Sequence, residues 1–334
     1  MTIHTSAVQI DTNQWGDLIE KSPVASFFQT RECYDFYASL SFLEPFVFGV
    51  SENDRLMGLI CGYIVAEGGR WKHFFSRRAI VLGGALLHPA ISERALENLL
   101  RYAAKILKKK AIYLELRNYD NYSPFRLVFE RAGFEYQPHL NFRVPTADED
   151  IAFRQLSKTK RKHIRSSQRK GAEIIELQNN NDIEDYYNLL SDLYKTRIKK
   201  PLFPIEFFEK IVKIPGCRLF GIKYQGKLIG GNVCVFLKNR VVYDWFICGL
   251  DEEYKNIYPS TLATWAGIKY AAENGFAYFD MMGAGKPDEG YGVREFKAKF
   301  GGVLVEHGRF LFVAKPLLYA LGKRVMCFIK FLNK

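Results

Sequence analysis

Between Asp280 and Gly302 the chain reads DMMGAGKPDEGYGVREFKAKFGG, a glycine-rich loop running straight into a helix dense in reactive side chains. Gly283, Gly285, Gly290 and Gly292 permit positive φ and let backbone approach a ligand closely, and a helical run from Arg294 to Phe300 follows directly. Phe296, Lys297 and Phe300 fall at i, i+1 and i+4. The two aromatics can anchor the helix while Lys297 leaves the seam at its rim, where an ammonium can meet a substrate. A turn followed by a surface helix with solvated lysines fits the same letters; solvation is the better reading for Lys299, and for Lys297 both stay open. Other chemistries find little support, since there is no Ser-His-Asp, metal-ligand or Walker pattern. His139, His163 and His307 stand isolated and read as surface or core histidines, and no cysteine sits at an evident electropositive helix start.

A body large enough to position this stretch is available. The chain has 334 residues, comfortable for two domains of ordinary size, each with its own core. Its 48% hydrophobic and 15% aromatic content is that of a globular protein, and no tract is long and apolar enough to cross a bilayer. The opening MTIHTSAVQIDTNQWGD has neither a basic n-region nor an apolar h-region, and the six cysteines follow neither metal-ligand nor disulfide spacing. The expectation is a cytoplasmic protein with reduced thiols, free or peripheral at the inner face of a membrane. A formal net charge of +12 points to a polyanionic partner such as RNA, a phosphorylated substrate or an anionic membrane.

The first half reads as two short helices broken at Pro23, a hairpin of PFVFGVSEN and LMGLICGYIVAE, and a strand in AIVLGGALL. A helix from Ser92 through Lys110, a strand AIYLELRN, a short helix PFRLVFERAG and a closing strand FEYQPHLNFRV complete it. The second half repeats the order with the hairpin CRLFGIKYQGKLIGGNVCVFL, the strand RVVYDWFICGL, a helix opened by Ser260 or Thr261 and stopped by Gly275, the strand FAYFDMM, a helix, and VLVEHGRFLFV. Local echoes support a duplication: Arg101-Tyr102-Ala103-Ala104 precedes AIYLEL as Lys269-Tyr270-Ala271-Ala272 precedes FAYFDM. The implied fold class is α/β (α+β), with domains 1–149 and 150–314, each a mixed, mostly antiparallel sheet flanked by helices, and a tail helix over 315–334.

Between the halves, RQLSKTKRKHIRSSQRK holds many Lys and Arg and no Asp or Glu on a helix ended by Gly171. It suits a phosphate-rich partner, with Lys160, Arg161 and Arg165 as contacts, or it is a solvated linker helix. An acidic helix near 182–195 leads into LYKTRIKKPLFPIEFFEKI, which carries Arg197. In the tail, Leu317, Leu318, Leu321, Val325 and Phe328 share one helix side; that side lies on an anionic membrane or docks on the protein's own core, and both readings stay open.

The hairpin, strand, helix, strand, helix, strand order resembles the acetyltransferase fold of the GNAT superfamily, and its duplication resembles the FemABX peptidyltransferases, over nearly the whole chain. SKTKRKHIRSSQRKG, LYKTRIKKPLFPIEFFEKI, and FDMMGAG followed by Tyr291 and EFKAKFGG carry the resemblance. It implies tandem GNAT-like acyltransferase domains that move an amino acid from aminoacyl-tRNA to the side-chain amine of a peptidoglycan precursor, with no tightly bound cofactor and no metal. The same architecture also serves acyltransferases of other cell-envelope substrates. Attack of an amine on an ester or thioester needs a neutral nucleophile, a route for its proton and stabilisation of the oxyanion. The matching residues are Lys297 as oxyanion or phosphate partner, Asp280 or Glu295 as proton acceptor, and Tyr291 or Tyr243 as hydrogen-bonding positioner. Phe296, Gly283 and Gly285 would face the acceptor, with Arg197 holding its phosphate; Asp280 also fits a plain strand-end cap.

Departures from the pattern bear on the donor. CoA-dependent GNAT enzymes bind pyrophosphate at a glycine-rich turn before a helix. Here that turn reads Tyr254-Lys255-Asn256-Ile257-Tyr258-Pro259-Ser260, without glycine and with Pro259 removing a donor. The first-half turn around Leu87-His88-Pro89 is no better, so aminoacyl-tRNA is favoured over acyl-CoA. RECYDFY offers only Arg31 where the bridge-forming enzymes often place a lysine, and no long helical hairpin interrupts the second half, so tRNA contacts must come from the body. Two alternatives remain: a CoA- or acyl-carrier-dependent N-acyltransferase of a polysaccharide or lipid pathway, and a non-catalytic RNA-binding module using the 154–170 helix.

Overall fold

Alternating apolar runs and two strongly periodic helices give a mixed α/β chain, and the computed structural model describes residues 1–66, 76–290 and 292–332 of it. In chain order the strands are β1 (Thr2–His4), β2 (Glu44–Glu52), β3 (Arg55–Val65), β4 (Arg78–Gly83), β5 (Leu86–Leu87), β6 (Tyr113–Asn118), β7 (Glu135–Gln137) and β8 (Leu140–Pro145). They continue as β9 (Glu173–Glu176), β10 (Cys217–Tyr224), β11 (Lys227–Leu237), β12 (Val241–Gly249), β13 (Tyr278–Asp280), β14 (Val303–Glu306) and β15 (Arg309–Val313). The helices are α1 (Thr12–Lys21), α2 (Arg31–Ser39), α3 (Glu93–Leu107), α4 (Arg126–Arg131), α5 (Glu149–Gln155) and α6 (Lys158–Arg169). After them come α7 (Asn180–Leu193), α8 (Ile205–Ile211), α9 (Pro259–Glu273), α10 (Gly292–Ala298) and α11 (Pro316–Leu332).

Two units result, Met1–Pro138 with His307–Lys334, and His139–Glu306. The first sheet runs β1-β2-β3-β4-β6-β15-β7 with β5 on β3, and the second, read from its far edge, β9-β10-β11-β12-β13-β8-β14. The orders correspond strand for strand, and in each the fourth and fifth strands pair in parallel, β4 with β6 and β12 with β13. The duplication is therefore in the topology, with one reciprocal exchange. β8, which follows β7 in the chain, lies between β13 and β14, while β15, which follows β14, lies between β6 and β7.

FEYQPHLNFRV and VLVEHGRFLFV, each expected as one strand, are each two strands that belong to different units. Units thus divide at Pro138/His139 and Glu306/His307, where the sequence reading placed its boundaries at 149/150 and 314/315. The cores explain the split: Leu140, Phe142 and Val144 are buried with α9, and Phe310 with α3. A strand's alternation shows that one face is buried but does not name the partner sheet.

In the first unit Ser92 accepts from the Ala95 N–H at 3.1 Å and starts α3, whose Leu96, Leu99, Leu100, Ala103 and Leu107 pack on Phe48, Ile60, Val81 and Leu114. In the second unit α9 is buried along most of its length against Phe220, Ile222, Val242 and Phe279. Gly267 permits that approach, since a Cβ there would lie 2.5 Å from the Phe279 ring. The basic segment, expected as one helix, breaks into α5 and α6 at Ser157, whose hydroxyl accepts from the Lys160 N–H at 3.3 Å and caps α6. Among the described residues no helix is long and apolar enough to cross a membrane.

The exchange makes the first unit depend on the end of the chain. Phe310 on β15 is fully buried and stacks on Phe129 with ring centroids 3.9 Å apart. Phe310→Ala should cost about 3–5 kcal/mol, and hydrogen exchange should quicken in α3 and β6 while α9 and β12 keep their protection. Equal loss of protection in α9 would contradict this assignment of β15.

Candidate functional site

Parallel pairing of β12 with β13 covers only Val241–Tyr243 against Tyr278–Asp280. Beyond it the two strands part. β12 runs on to Gly249 beside β11, with a register irregularity that pairs Cys234 with Asp244 and Val233 with Phe246. The chain after Asp280 turns through positive φ at Met282, Gly283 and Gly285 and follows β8, with the Met281 N–H on Phe142 O at 2.9 Å and the Ala284 N–H on Leu140 O at 2.7 Å. Positive φ at the two glycines is what the turn requires there, as expected of a glycine-rich loop.

Lys297 fills this fork. It is 9% exposed, so it lies inside the unit and not at the rim that the i, i+4 spacing of the phenylalanines suggested. Its Nζ donates to Met281 O, to Gly283 O at 2.9 Å and, weakly, to Met282 O at 3.4 Å. Arg294 holds the next part of the loop by its carbonyls, with Nε on Ala284 O at 2.8 Å and Nη2 on Lys286 O. Two cations of α10 thus clamp the glycine loop by its backbone.

Two buried carboxylates, Asp244 and Asp280, lie within electrostatic reach of the ammonium. Asp280 accepts from Asn141 Nδ2 at 2.6 Å and from the Met282 N–H at 2.9 Å, and Arg143 Nε approaches its other oxygen at 3.5 Å. Burial nevertheless raises the Asp280 carboxyl above its usual range. Burial pushes Asp244 up to about 6, against the Lys297 charge and an Asn232 hydrogen bond that act to lower it. The Lys297 ammonium is lowered by the same desolvation, which outweighs both carboxylates. Asp244 Oδ1 and Asp280 Oδ2 are buried without a hydrogen-bond partner among the described residues, the condition in which a polar group is most available to a ligand or a proton.

The sequence-derived candidates separate on this frame. Lys297, Asp280, Gly283 and Gly285 come together at the fork. Tyr243 is buried and pairs in register with Asp280. Phe296 and Phe300 pack on each other at 5.3 Å as the anchor of α10. Glu295 and Lys299 are exposed, so Glu295 stands on the solvent side of α10, away from Lys297. Tyr291 lies outside the described residues. Arg197 is exposed on a turn of π-helix at Tyr194–Ile198 and pairs with Glu252 at 2.7 Å.

Lys160 departs most from expectation. It is 5% exposed, its Nζ donates to Thr261 Oγ1 at 2.8 Å, and it sits over the Phe296 and Phe300 rings at 3.7 and 4.7 Å. Burial lowers its pKa to about 8. It is a cation–π tie between α6, α9 and α10 rather than a contact for an external phosphate, because its charge is already enclosed. Arg165 is exposed and Arg161 half-buried, with Arg161 Nη1 on Arg154 O at 2.6 Å.

Residues that sequence reasoning missed are Asp244, Asn232, Asn141 and Arg143. Asp244 left a signal, an acid inside the apolar run VVYDWFICG. Asn141 and Arg143 alternate with apolar residues on β8, but only the strand exchange brings them to this unit.

The equivalent place in the first unit has different contents. β4 pairs with β6 over a longer stretch, Ala79–Gly83 with Leu114–Asn118. Beyond it Gln29 Nε2 donates to Gly83 O at 2.9 Å and Gly84 O at 3.0 Å, and Tyr122 OH donates to Ala85 O at 2.6 Å. Neutral side chains plug that fork.

The N-terminus of α9 is closed from within the second unit. Asp251 accepts from the Ser260 N–H at 3.3 Å and from its hydroxyl, and the Thr261 and Leu262 N–H groups both reach Tyr258 O, at 3.0 and 3.1 Å. A carboxylate and a carbonyl already take the donors that a pyrophosphate would need. Among the described residues no group of three or more His, Cys, Asp or Glu could hold a metal ion.

Residues 158–297 match the family model of the acetyltransferase (GNAT) domain, a span that ends on Lys297. No curated protein matches the sequence. Among solved structures, FemX is similar with a TM-score of 0.72 at 14% identity, over 96% of this chain and 99% of that one. A tandem GNAT protein from the clavulanic acid biosynthesis pathway gives 0.59 at 13% identity over 94% and 99% of the two chains. L-PGS from Bacillus licheniformis gives 0.58 at 13% over 94% and 96%. At such identities the likeness is one of fold. Taken with the fork and its buried lysine, these similarities make the chain a tandem GNAT-like protein of FemX-like fold whose residues 158–297 form a GNAT acyltransferase domain.

Proposed function

We propose that the protein is an aminoacyltransferase that moves an aminoacyl group from aminoacyl-tRNA to an amine of a phosphorylated cell-envelope precursor, working at the cytoplasmic side. The observation that carries the choice of donor is the α9 N-terminus, where the Asp251 carboxylate already sits on Ser260. An acyl-CoA pyrophosphate would have to displace it against charge repulsion, whereas a tRNA donor makes no use of that end. FemABX members work on aminoacyl-tRNA, and this chain shares their fold.

In the reaction the amine nitrogen attacks the ester carbonyl, a C–N bond forms and negative charge develops on the carbonyl oxygen. Lys297 supports that charge chiefly by its field, because its three N–H donors already face backbone carbonyls. An oxyanion that took one of them would displace Met282 O, the longest contact. Asp280, held by Asn141 and the Met282 N–H, fixes the loop that presents these groups. The exposed face of α6, with Arg165 and Arg161, supplies charge for the tRNA or for the acceptor's phosphate, with Arg197 a second phosphate contact once it leaves Glu252. On α11, Tyr319 packs on Tyr113 while Leu317 and Leu321 are 88% and 56% exposed. That exposed pair supports peripheral contact with an anionic membrane.

Three outcomes are expected. Binding measured side by side should show micromolar or tighter affinity for aminoacyl-tRNA and none for acetyl-CoA; the reverse result would restore the acyl-CoA reading. Replacing Arg161 and Arg165 with Gln should flatten the salt dependence of RNA binding by about 0.9 in slope per phosphate contact removed, and an unchanged slope would make α6 a linker. Lys297→Met should lower single-turnover transfer roughly 100- to 1000-fold. It should also destabilise the fold by about 3–5 kcal/mol, since two carboxylates and the loop carbonyls lose their cation. Lys299→Met should stay within about 0.5 kcal/mol, and full transfer by folded Lys297→Met protein would remove the assignment.

A further inference from the structure

The fork holds one buried carboxylate that the proposed mechanism does not use. Asp244 is the first residue of β12 beyond the paired segment, is buried, and leaves Oδ1 without a hydrogen-bond partner among the described residues. Cys234 on β11 pairs with it in register, Asn232 on β11 hydrogen-bonds it, and Lys297 of α10, Asp280 of β13 and Tyr186 of α7 lie within electrostatic reach. Arg143 on β8 stands beyond Asp280. With Lys297 and Arg143 charged and both aspartates ionised, the cluster is neutral. A substrate oxyanion beside Lys297 would add a negative charge in a site with little water to screen it.

We propose that Asp244 is the catalytic proton acceptor of this fork, a carboxylate near the Lys297 ammonium that takes up a proton as negative charge develops on the substrate. The inference rests on the transfer reading above. As the amine attacks, the C–N bond forms and the carbonyl electron pair moves to oxygen, while the proton leaving nitrogen reaches Asp244 Oδ1. The cluster then carries one neutral carboxyl and one oxyanion, and its net charge is unchanged. On collapse the oxygen pair reforms the C=O bond, the ester C–O bond breaks, and the leaving oxygen takes the proton from Asp244, which returns to carboxylate. Asp280 is less suited, because one of its oxygens already takes two hydrogen bonds and Arg143 approaches the other. A folded-state pKa raised to about 6 gives Asp244 the balance a proton carrier needs near neutral pH.

The test reads the proton without needing turnover. In protein labelled with nitrogen-15 at lysine Nζ, the Lys297 resonance should step with a midpoint near 6, as Asp244 titrates beside it. The resonance is assigned by its loss in Lys297→Arg. The step should persist in Asp280→Asn and vanish in Asp244→Asn, a variant that has the shape of the protonated acid. A flat wild-type signal between pH 5 and 7.5 overturns the proposal whether or not the variants fold. A step kept in Asp244→Asn but lost in Asp280→Asn also overturns it and assigns the proton to Asp280. If the wild-type enzyme transfers from aminoacyl-tRNA, its single-turnover rate should fall on the acid side with the same midpoint. Asp244→Asn should then lose that limb and run at least ten-fold slower at pH 7.5, and a wild-type rate in that variant counts against the proposal. Absence of transfer in wild type would sink the donor reading and leave the NMR result to stand by itself.

Discussion

A lysine ammonium enclosed in the second unit is the constraint to which most of that unit answers. Removing such a charge from water costs several kcal/mol unless its donors and its charge are both met. The chain meets the donors with carbonyls of Met281, Met282 and Gly283, and the charge with Asp244 and Asp280. Bringing three successive carbonyls to one nitrogen requires the backbone to turn through positive φ at Met282 and Gly283. That turn in turn needs Asn141, which bonds both Asp280 and the Gly283 N–H. Asn141 is on β8, so the lysine's burial, the glycine loop and the exchanged strand form one dependency.

The two repeats meet this constraint differently. Both units carry the same strand order and the same parallel pair, so the fold alone does not ask for charge at the fork. The first unit closes its fork with Gln29 and Tyr122, whose polar groups are met by Gly83, Gly84 and Ala85. That solution is cheap in desolvation and puts no charge at the fork, since burial raises the Tyr122 hydroxyl's pKa and keeps it neutral. The second unit accepts two buried carboxylates with unmet oxygens and two cations at the same place. Locally unfavourable choices of this kind, kept in one copy of a duplicated fold, are the pattern expected of a functional site.

Much of the fold was legible. Ser92 as a cap, the apolar stripe of α3, both hairpins and the repeat itself follow from local rules, because each depends on neighbours a few residues apart. The exchange of β8 and β15 was not legible, since alternation in HLNFRV and GRFLFV states only that one face is buried. At the site, Lys297 and Asp280 were readable as residue types next to a glycine loop. The depth of Lys297 was not, because it depends on a loop that folds back over the helix. Lys160 was misplaced for a related reason: a helix basic on several faces reads as solvated, and only the position of Phe296 and Phe300 shows that one of its cations points inward. Asp244 could have been found as the acid within VVYDWFICG, and its partner could not.

The start of α9 joins these strands of argument. A helix N-terminus carries partial positive charge and unpaired N–H groups, and in CoA-dependent GNAT enzymes that end faces pyrophosphate. Here the same end is turned to internal cohesion. Asp251 and Tyr258 O take its N–H groups, and Lys160 from α6 bonds Thr261 while lying on the aromatic rings of α10. A second tie, from the Ser157 N–H to Lys299 O at 2.9 Å, fixes the far end of α10 to the start of α6. The helix that bears Lys297 is therefore fastened to the basic helix at two points. The donors at the start of α9 and the cation of Lys160 thus serve the same end, holding α6, α9 and α10 together from within the unit.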